Sequence, residues 1–136
     1  MSTRSAKRLH ESELKGLSKS SISRMWATKA KTLVDEMLGR DLSQLDIVVL
    51  MLDGIHLCSG LCSVAAIGID RSGAKHVLGF RIGSSENAEV CRDLVGDLHS
   101  RGLRPIEGKR FLAVLDGSKA LKNALLELYP DALTQR

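Results

Sequence analysis

Leu45-Asp46-Ile47-Val48-Val49-Leu50-Met51-Leu52-Asp53-Gly54 is the stretch on which the fold turns. From Leu45 to Leu52 it is almost wholly apolar and rich in β-branched side chains, the composition of a central strand buried on both faces. A carboxylate and a glycine end it. A second stretch repeats the pattern, with Phe111-Leu112-Ala113-Val114-Leu115 running apolar into Asp116-Gly117. A single Asp-Gly pair is ordinarily turn chemistry. Two of them, each closing a central-type strand, are harder to read that way. If the strands are parallel neighbours, both carboxylates emerge at the same carboxyl edge, where α/β sheets place ligands. Carboxylates held together repel, and a divalent cation relieves the repulsion. A glycine beside each lets backbone and substrate approach closely.

Outward from these strands the pattern is an alternation of strands and helices. Cys62–Asp70 reads as a second strand, continuous with or just after His56–Leu61. Asp70-Arg71-Ser72-Gly73 is turn chemistry and Lys75–Ile82 a third strand, so the two make a hairpin. Ser85 caps a helix whose apolar stripe is Val90, Cys91, Leu94, Val95 and Leu98, ending at Gly102. A last helix runs from Ser118 to Leu128, where Tyr129-Pro130 stops it. Near the start, Ile22, Met25, Trp26, Ala30, Leu33, Val34, Met37 and Leu38 recur at helical spacing between a capping Ser18 and Gly39. Residues 1–16 are polar and read as a frayed terminus. The predicted order is a helix followed by β-β-β-α-β-α, an α/β sheet.

Composition narrows the class. A chain of 136 residues, 43% apolar with two prolines, suits one packed core and excludes a disordered chain. No apolar run approaches the roughly 18–20 residues that span a bilayer, and no secretory signal is visible, so no membrane partner is expected. Three cysteines lack structural zinc spacing. His56, Cys58 and Cys62 share strand parity, but buried small hydrophobes explain the cysteines better than a metal site. A reduced, cytoplasmic protein is expected. The net charge of +4 is uneven: residues 1–40 hold nine Lys/Arg and four Asp/Glu, net +5, and residues 41–136 hold eleven and twelve, net −1. Basic segments attract polyanions by releasing their counterions, although a solvated helix face has the same charge signature.

At these residues the sequence resembles the mutator-type transposases of bacterial insertion sequences. The matching blocks are Leu52-Asp53-Gly54-Ile55; Gly68-Ile69-Asp70 with Gly73 and Lys75-His76-Val77-Leu78-Gly79; Glu86-Asn87; Arg101-Gly102-Leu103; and Asp116-Gly117-Ser118-Lys119-Ala120-Leu121. Their joint order is far more specific than any one block. The resemblance implies a ribonuclease H-like core with three catalytic acids, Asp53 first and Asp116 second. Such acids hold two divalent metals, Mg²⁺ or Mn²⁺, about 3.5–4 Å apart for in-line displacement on DNA. The third acid, a Glu, lies after a fifth strand in the family. Nothing places Glu127 in that role, so the chain reads as truncated at both ends, its sheet open at the far edge. Strand-transfer activity is not expected of it alone. Lys119 is a candidate phosphate contact or a solvated lysine. The implied partners are DNA, both element ends and target, and either further copies of the chain or a full-length transposase.

Leu17-Ser18-Lys19-Ser20-Ser21-Ile22-Ser23-Arg24 resembles the recognition helix of a helix-turn-helix, which places its first turns in the major groove. Lys19 and Arg24 suit phosphate or a guanine edge, and Ser20 and Ser21 suit either. A serine-capped amphipathic helix explains the same residues without DNA. The domain expectation is a basic arm and helix over 1–40, a remnant of that motif, and a partial ribonuclease H-like core over 41–136. The main alternative is a non-catalytic remnant that binds DNA or another subunit. A weaker one is an unrelated phosphohydrolase that turns over a small phosphate ester without DNA.

Overall fold

The computed structural model describes residues 18–58, 60–84 and 88–135, which fall into two units divided between Glu36 and Met37. The readings at residues 1–17, at Ser85 and at Glu86-Asn87 lie outside the described residues.

Helix α1, Lys19–Gly39, makes up the described part of the first unit and carries its last turn into the second. Its start is the predicted cap. Ser18 Oγ accepts from the Ser21 amide at 3.2 Å and lies 2.9 and 3.0 Å from the Ser20 and Ser21 hydroxyls. Lys31 pairs with Asp35 one turn on, at 2.6 Å. The apolar stripe has the expected spacing, but no residue of α1 is buried; Leu33 is 58% exposed.

The second unit is a five-stranded sheet with two helices. Strands β1 (Ile47–His56), β2 (Cys62–Asp70) and β3 (Lys75–Gly83) form an antiparallel meander. Helix α2 (Ala88–Ser100) leads to β4 (Leu112–Leu115), which pairs parallel with β1, and α3 (Lys119–Leu128) leads to β5 (Leu133–Gln135), parallel to β4. The order across the sheet is β3-β2-β1-β4-β5. That order and those directions are the ribonuclease H-like arrangement.

Alternation along the strands makes one face the core. Leu50 and Leu52 of β1, Val64 and Ala66 of β2, Leu78 of β3 and Ala113 and Leu115 of β4 form one buried cluster with both helices. α2 contributes Cys91, Leu94, Val95 and Leu98, the predicted stripe, and α3 contributes Leu121, Ala124 and Leu125. Burying this apolar surface is the main favourable term holding the unit together.

The structure corrects the sequence reading in three places. β1 does not stop at Asp53-Gly54. It runs on to His56, because β2 still pairs with it there, Asp53 opposite Ala65 and His56 opposite Cys62. Leu57 and Leu61 therefore belong to the connection of a β1–β2 hairpin, closed by Leu57 N–H to Leu61 C=O at 2.9 Å, and not to the start of β2. β1 is also buried on one face only, since Met51 on the other is 37% exposed. Finally, the outer edge of β4 is paired, because Leu133, Thr134 and Gln135 lie opposite Leu112, Ala113 and Val114. Three residues are too few to show a strand period in the sequence.

Candidate active site

β1 and β4 run parallel with Leu52 opposite Leu115, and each of those residues is followed directly by an acid, Asp53 still within β1 and Asp116 just past the end of β4. Asp53 follows Val49 and Met51 in the alternation, and Asp116 follows Leu112 and Val114. Both acids are exposed, and Asp53 lies on the face of β1 away from Leu50 and Leu52. The location is a step in the sheet: β1 continues beside β2, whereas β4 ends and leaves room on its side. Here the sequence brings two carboxylates to one edge by the shortest route, apolar strand into acid on adjacent parallel strands.

The two acids are held differently. Asp53 is fixed by the β1–β2 ladder, and its carboxylate has no hydrogen-bond partner among the described residues. Asp116 starts a tight turn into α3. Its Oδ1 accepts from the Ser118 amide at 3.0 Å, and Gly117 passes through the left-handed region at φ 99°, which a side chain would strain. Ser118 is the N-cap of α3, its Oγ accepting from the Leu121 amide. The turn holds the Asp116 backbone and one oxygen and leaves Oδ2 available. Beside it, a cavity of about 290 Å³ opens at the carboxyl ends of β4 and β5, lined by Lys119 and Lys122 with Ser118, Thr134 and Gln135. One turn of helix puts both lysines on the same side of α3.

The Asp53 carboxylate and Oδ2 of Asp116 supply hard oxygen donors of the kind that suit Mg²⁺ or Mn²⁺. Among the described residues no group of three or more His, Cys, Asp or Glu gathers there or elsewhere. Glu127 faces Arg92 of α2 at 3.3 Å, across the helix layer. His56 and Cys58 are exposed and Cys62 is buried.

Lys19, Ser20, Ser21 and Arg24 all lie in the first two turns of α1 and, apart from the half-buried Ser21, are exposed. Three of these residues are engaged in the helix start itself, Ser20 through its hydroxyl beside Ser18 Oγ. Ser21 supports the cap, and Arg24 Nε donates to the Ser20 carbonyl at 3.4 Å. No helix of the described residues is long and apolar enough to cross a membrane.

Two motif blocks prove to be architectural. His76 Nε2 lies 2.7 Å from Asp70 Oδ2, across the β2–β3 turn and opposite the start of β1, at the far end of the sheet from Asp53. Asp70 Oδ1 also accepts from Ser72 and Ala74. These bonds, His76 foremost, hold the Asp70 carboxyl well below the usual carboxylate range. Arg101, at the end of α2, donates to the Leu78, Met37 and Arg40 carbonyls and pairs with Asp97 at 2.7 Å, while Arg81 takes the other Asp97 oxygen at 2.9 Å.

Comparison with known proteins follows the same lines. The profile described as "Transposase, Mutator family" matches residues 1–136. A transposase for an insertion sequence element of Mycolicibacterium smegmatis is 34% identical over 130 residues, covering 89% of this chain and 38% of the relative. One from Lactobacillus helveticus is 41% identical over 71 residues, 52% of this chain and 18% of the relative. The chain thus spans less than two fifths of the length of these relatives. Among solved structures, the catalytic domain of Mos1 transposase with raltegravir and Mn aligns over 78% of this chain and 57% of that one, at 15% identity and a TM-score of 0.43. A second structure of that domain, named there as a mariner transposase, covers 88% and 62% at 16% identity, with a TM-score of 0.38. The strand order, not these superpositions, identifies the fold.

Proposed function

The chain belongs to the Mutator family of transposases, and from that premise we propose that Asp53 and Asp116 are the first two acids of a metal-dependent site that cleaves and joins DNA strands in transposition of an insertion element. The observation that supports the reading is the parallel pairing of Leu52 with Leu115, each followed directly by an acid that has at least one oxygen without a hydrogen-bond partner among the described residues.

In this reading Asp53 and Asp116 would hold Mg²⁺ or Mn²⁺, with the free Oδ2 of Asp116 and both oxygens of Asp53 as donors. The bound cation would supply Lewis-acid stabilisation of the reacting phosphate and of the attacking and leaving oxygens. The protein's part is placement. The β1–β2 ladder and the Asp116–Ser118 turn fix the two backbones in advance, which lowers the cost of bringing two carboxylates together around one cation. Lys119 and Lys122 offset the charge of a phosphate backbone approaching that edge. Lys19, Ser20, Ser21 and Arg24 are proposed as a separate DNA contact, with element ends and target as the DNA partners and further transposase subunits as the protein partner.

The described residues provide two of three acids, so binding and cleavage separate. Isothermal calorimetry of the full chain should show Mn²⁺ binding that disappears in Asp53→Asn and in Asp116→Asn. A labelled element end incubated with the chain alone and Mn²⁺ should stay intact. Unchanged metal heats in both variants would overturn the site. In that case the two-acid edge is inert and a purely DNA- or subunit-binding role stands; Asp53-dependent nicking would instead show a complete site.

A further inference from the structure

At the other end of β4 from Asp116, the residues leading into β4 and β5 enclose a second cavity of about 210 Å³. Its rim carries Arg104, Lys109 and Arg110 against the single carboxylate of Asp131. None of these cations makes an ion pair among the described residues. Arg104 Nη1 donates to the His99 and Leu103 carbonyls at 2.7 and 2.8 Å, which aims the guanidinium without neutralising it.

The cavity is built stiff. Phe111 and Tyr129 meet edge to face in its floor, ring centroids 5.1 Å apart, and the Tyr129 hydroxyl donates to the Leu103 carbonyl at 2.8 Å. Both prolines of the chain, Pro105 and Pro130, stand in its wall, and their fixed φ removes freedom that binding would otherwise have to freeze. His99 also lines it, and its Nδ1 is buried with no hydrogen-bond partner among the described residues, an exception to the usual satisfaction of buried polar atoms.

Three cations against one carboxylate leave the rim net positive, a field that attracts an anion. The volume falls below the roughly 300–1,000 Å³ of sites that enclose a whole small ligand. It suits one anionic group presented by a polymer passing over the surface. We infer that this cavity seats a phosphodiester of the DNA backbone, as a second contact apart from the acid edge. The four residues of β4 separate the two by about 13 Å. The contact therefore contributes affinity and register rather than chemistry. It rests on the reading that the chain acts on DNA, and not on any metal at Asp53 and Asp116.

The test is fluorescence anisotropy of the full chain with a short labelled duplex of mixed sequence, in EDTA and across a salt series. The double change Lys109→Glu with Arg110→Glu should weaken binding at low salt by about tenfold or more and lower the slope of log affinity against log salt by about 2. The milder pair Lys109→Gln with Arg110→Gln, checked for native circular dichroism, should lower the slope similarly with a smaller loss. In histidine-labelled chain, duplex should shift the ring signals of His99, identified with His99→Gln. Unchanged slopes in both variants, with still His99 signals, would overturn the inference while leaving DNA binding by the chain intact. Signals moved by pyrophosphate but not by duplex would also overturn it, in favour of a small free phosphate ligand. If the native chain binds no duplex at all, the DNA reading falls together with this site.

Discussion

At Tyr129, the chain's one tyrosine, packing sets a proton's affinity. The ring is buried against Phe111 and His99, and burial pushes its phenol up from 10 to about 12, although the charge of Arg104 pulls the other way. Folding thus favours the neutral form. Its stabilising contribution is whole below pH 10 and disappears as the pH rises from 10 towards 12. Ultraviolet titration of the native chain should show phenolate appearing with a midpoint near 12 and coinciding with unfolding; a midpoint at 10 in a still-folded chain would contradict the burial. Asp70 has the opposite sign. Its depressed carboxyl stabilises the β2–β3 turn above the ordinary carboxylate pKa, and that support is lost as the solution is acidified below it. Asp53 and Asp116 differ from Asp70 in being left with free oxygens, the condition a metal-binding acid has to meet.

The same residue type does different work on different elements. Leu94 in α2 is fully buried between the sheet and α3, and Leu33 in α1 is 58% exposed, although both sit on stripes of helical period. Leu94→Ala should cost about 2–5 kcal/mol, as truncation of a core leucine leaves a cavity. Leu33→Ala should stay within about 0.5 kcal/mol of the native chain. Urea unfolding midpoints of the two variants check this, and equal losses would mean that α1 is part of the core. The element that positions the candidate site is β1, whose two neighbours end at different points. β2 accompanies it past Asp53, and β4 leaves at Leu115. This mismatch in strand length opens the edge on which both acids lie.

Across the whole second unit, Arg101 ties together parts of the chain far apart in sequence: the end of α1, β3 and its own helix. Gly79 makes that possible. A Cβ there would sit 2.8 Å from Arg101 Nη2, and the guanidinium, held by three carbonyls and Asp97, has nowhere to retreat. Gly79→Ala should therefore cost about 1–3 kcal/mol. Gly96→Ala, mid-helix in α2 with nothing within 4 Å, should instead stabilise by up to about 1 kcal/mol. Thermal unfolding of the pair tests the two signs together, and a neutral Gly79→Ala would mean that the Arg101 hub moves freely. This hub accounts for the Lys75–Gly79 and Arg101–Leu103 blocks, which sequence comparison marks but does not explain.

Local chemistry was enough to read most elements in advance. The Ser18 cap, the Asp70 turn and the stripe of α2 depend on side chains within a few positions of each other, so their patterns survive in one dimension. Asp53 and Asp116 were legible for the same reason, as each follows its own apolar strand. Tertiary structure alone decided that the strands are parallel neighbours in the register that sets Leu52 opposite Leu115, that β1 continues past Asp53, and that Leu133–Gln135 add a fifth strand beside β4. It alone gathered Arg104, Lys109, Arg110 and His99 around one cavity and Arg101 onto three carbonyls. Those outcomes are contacts between distant segments, selected by backbone hydrogen bonds and shared burial, and such pairings carry no period along the chain for a sequence to display.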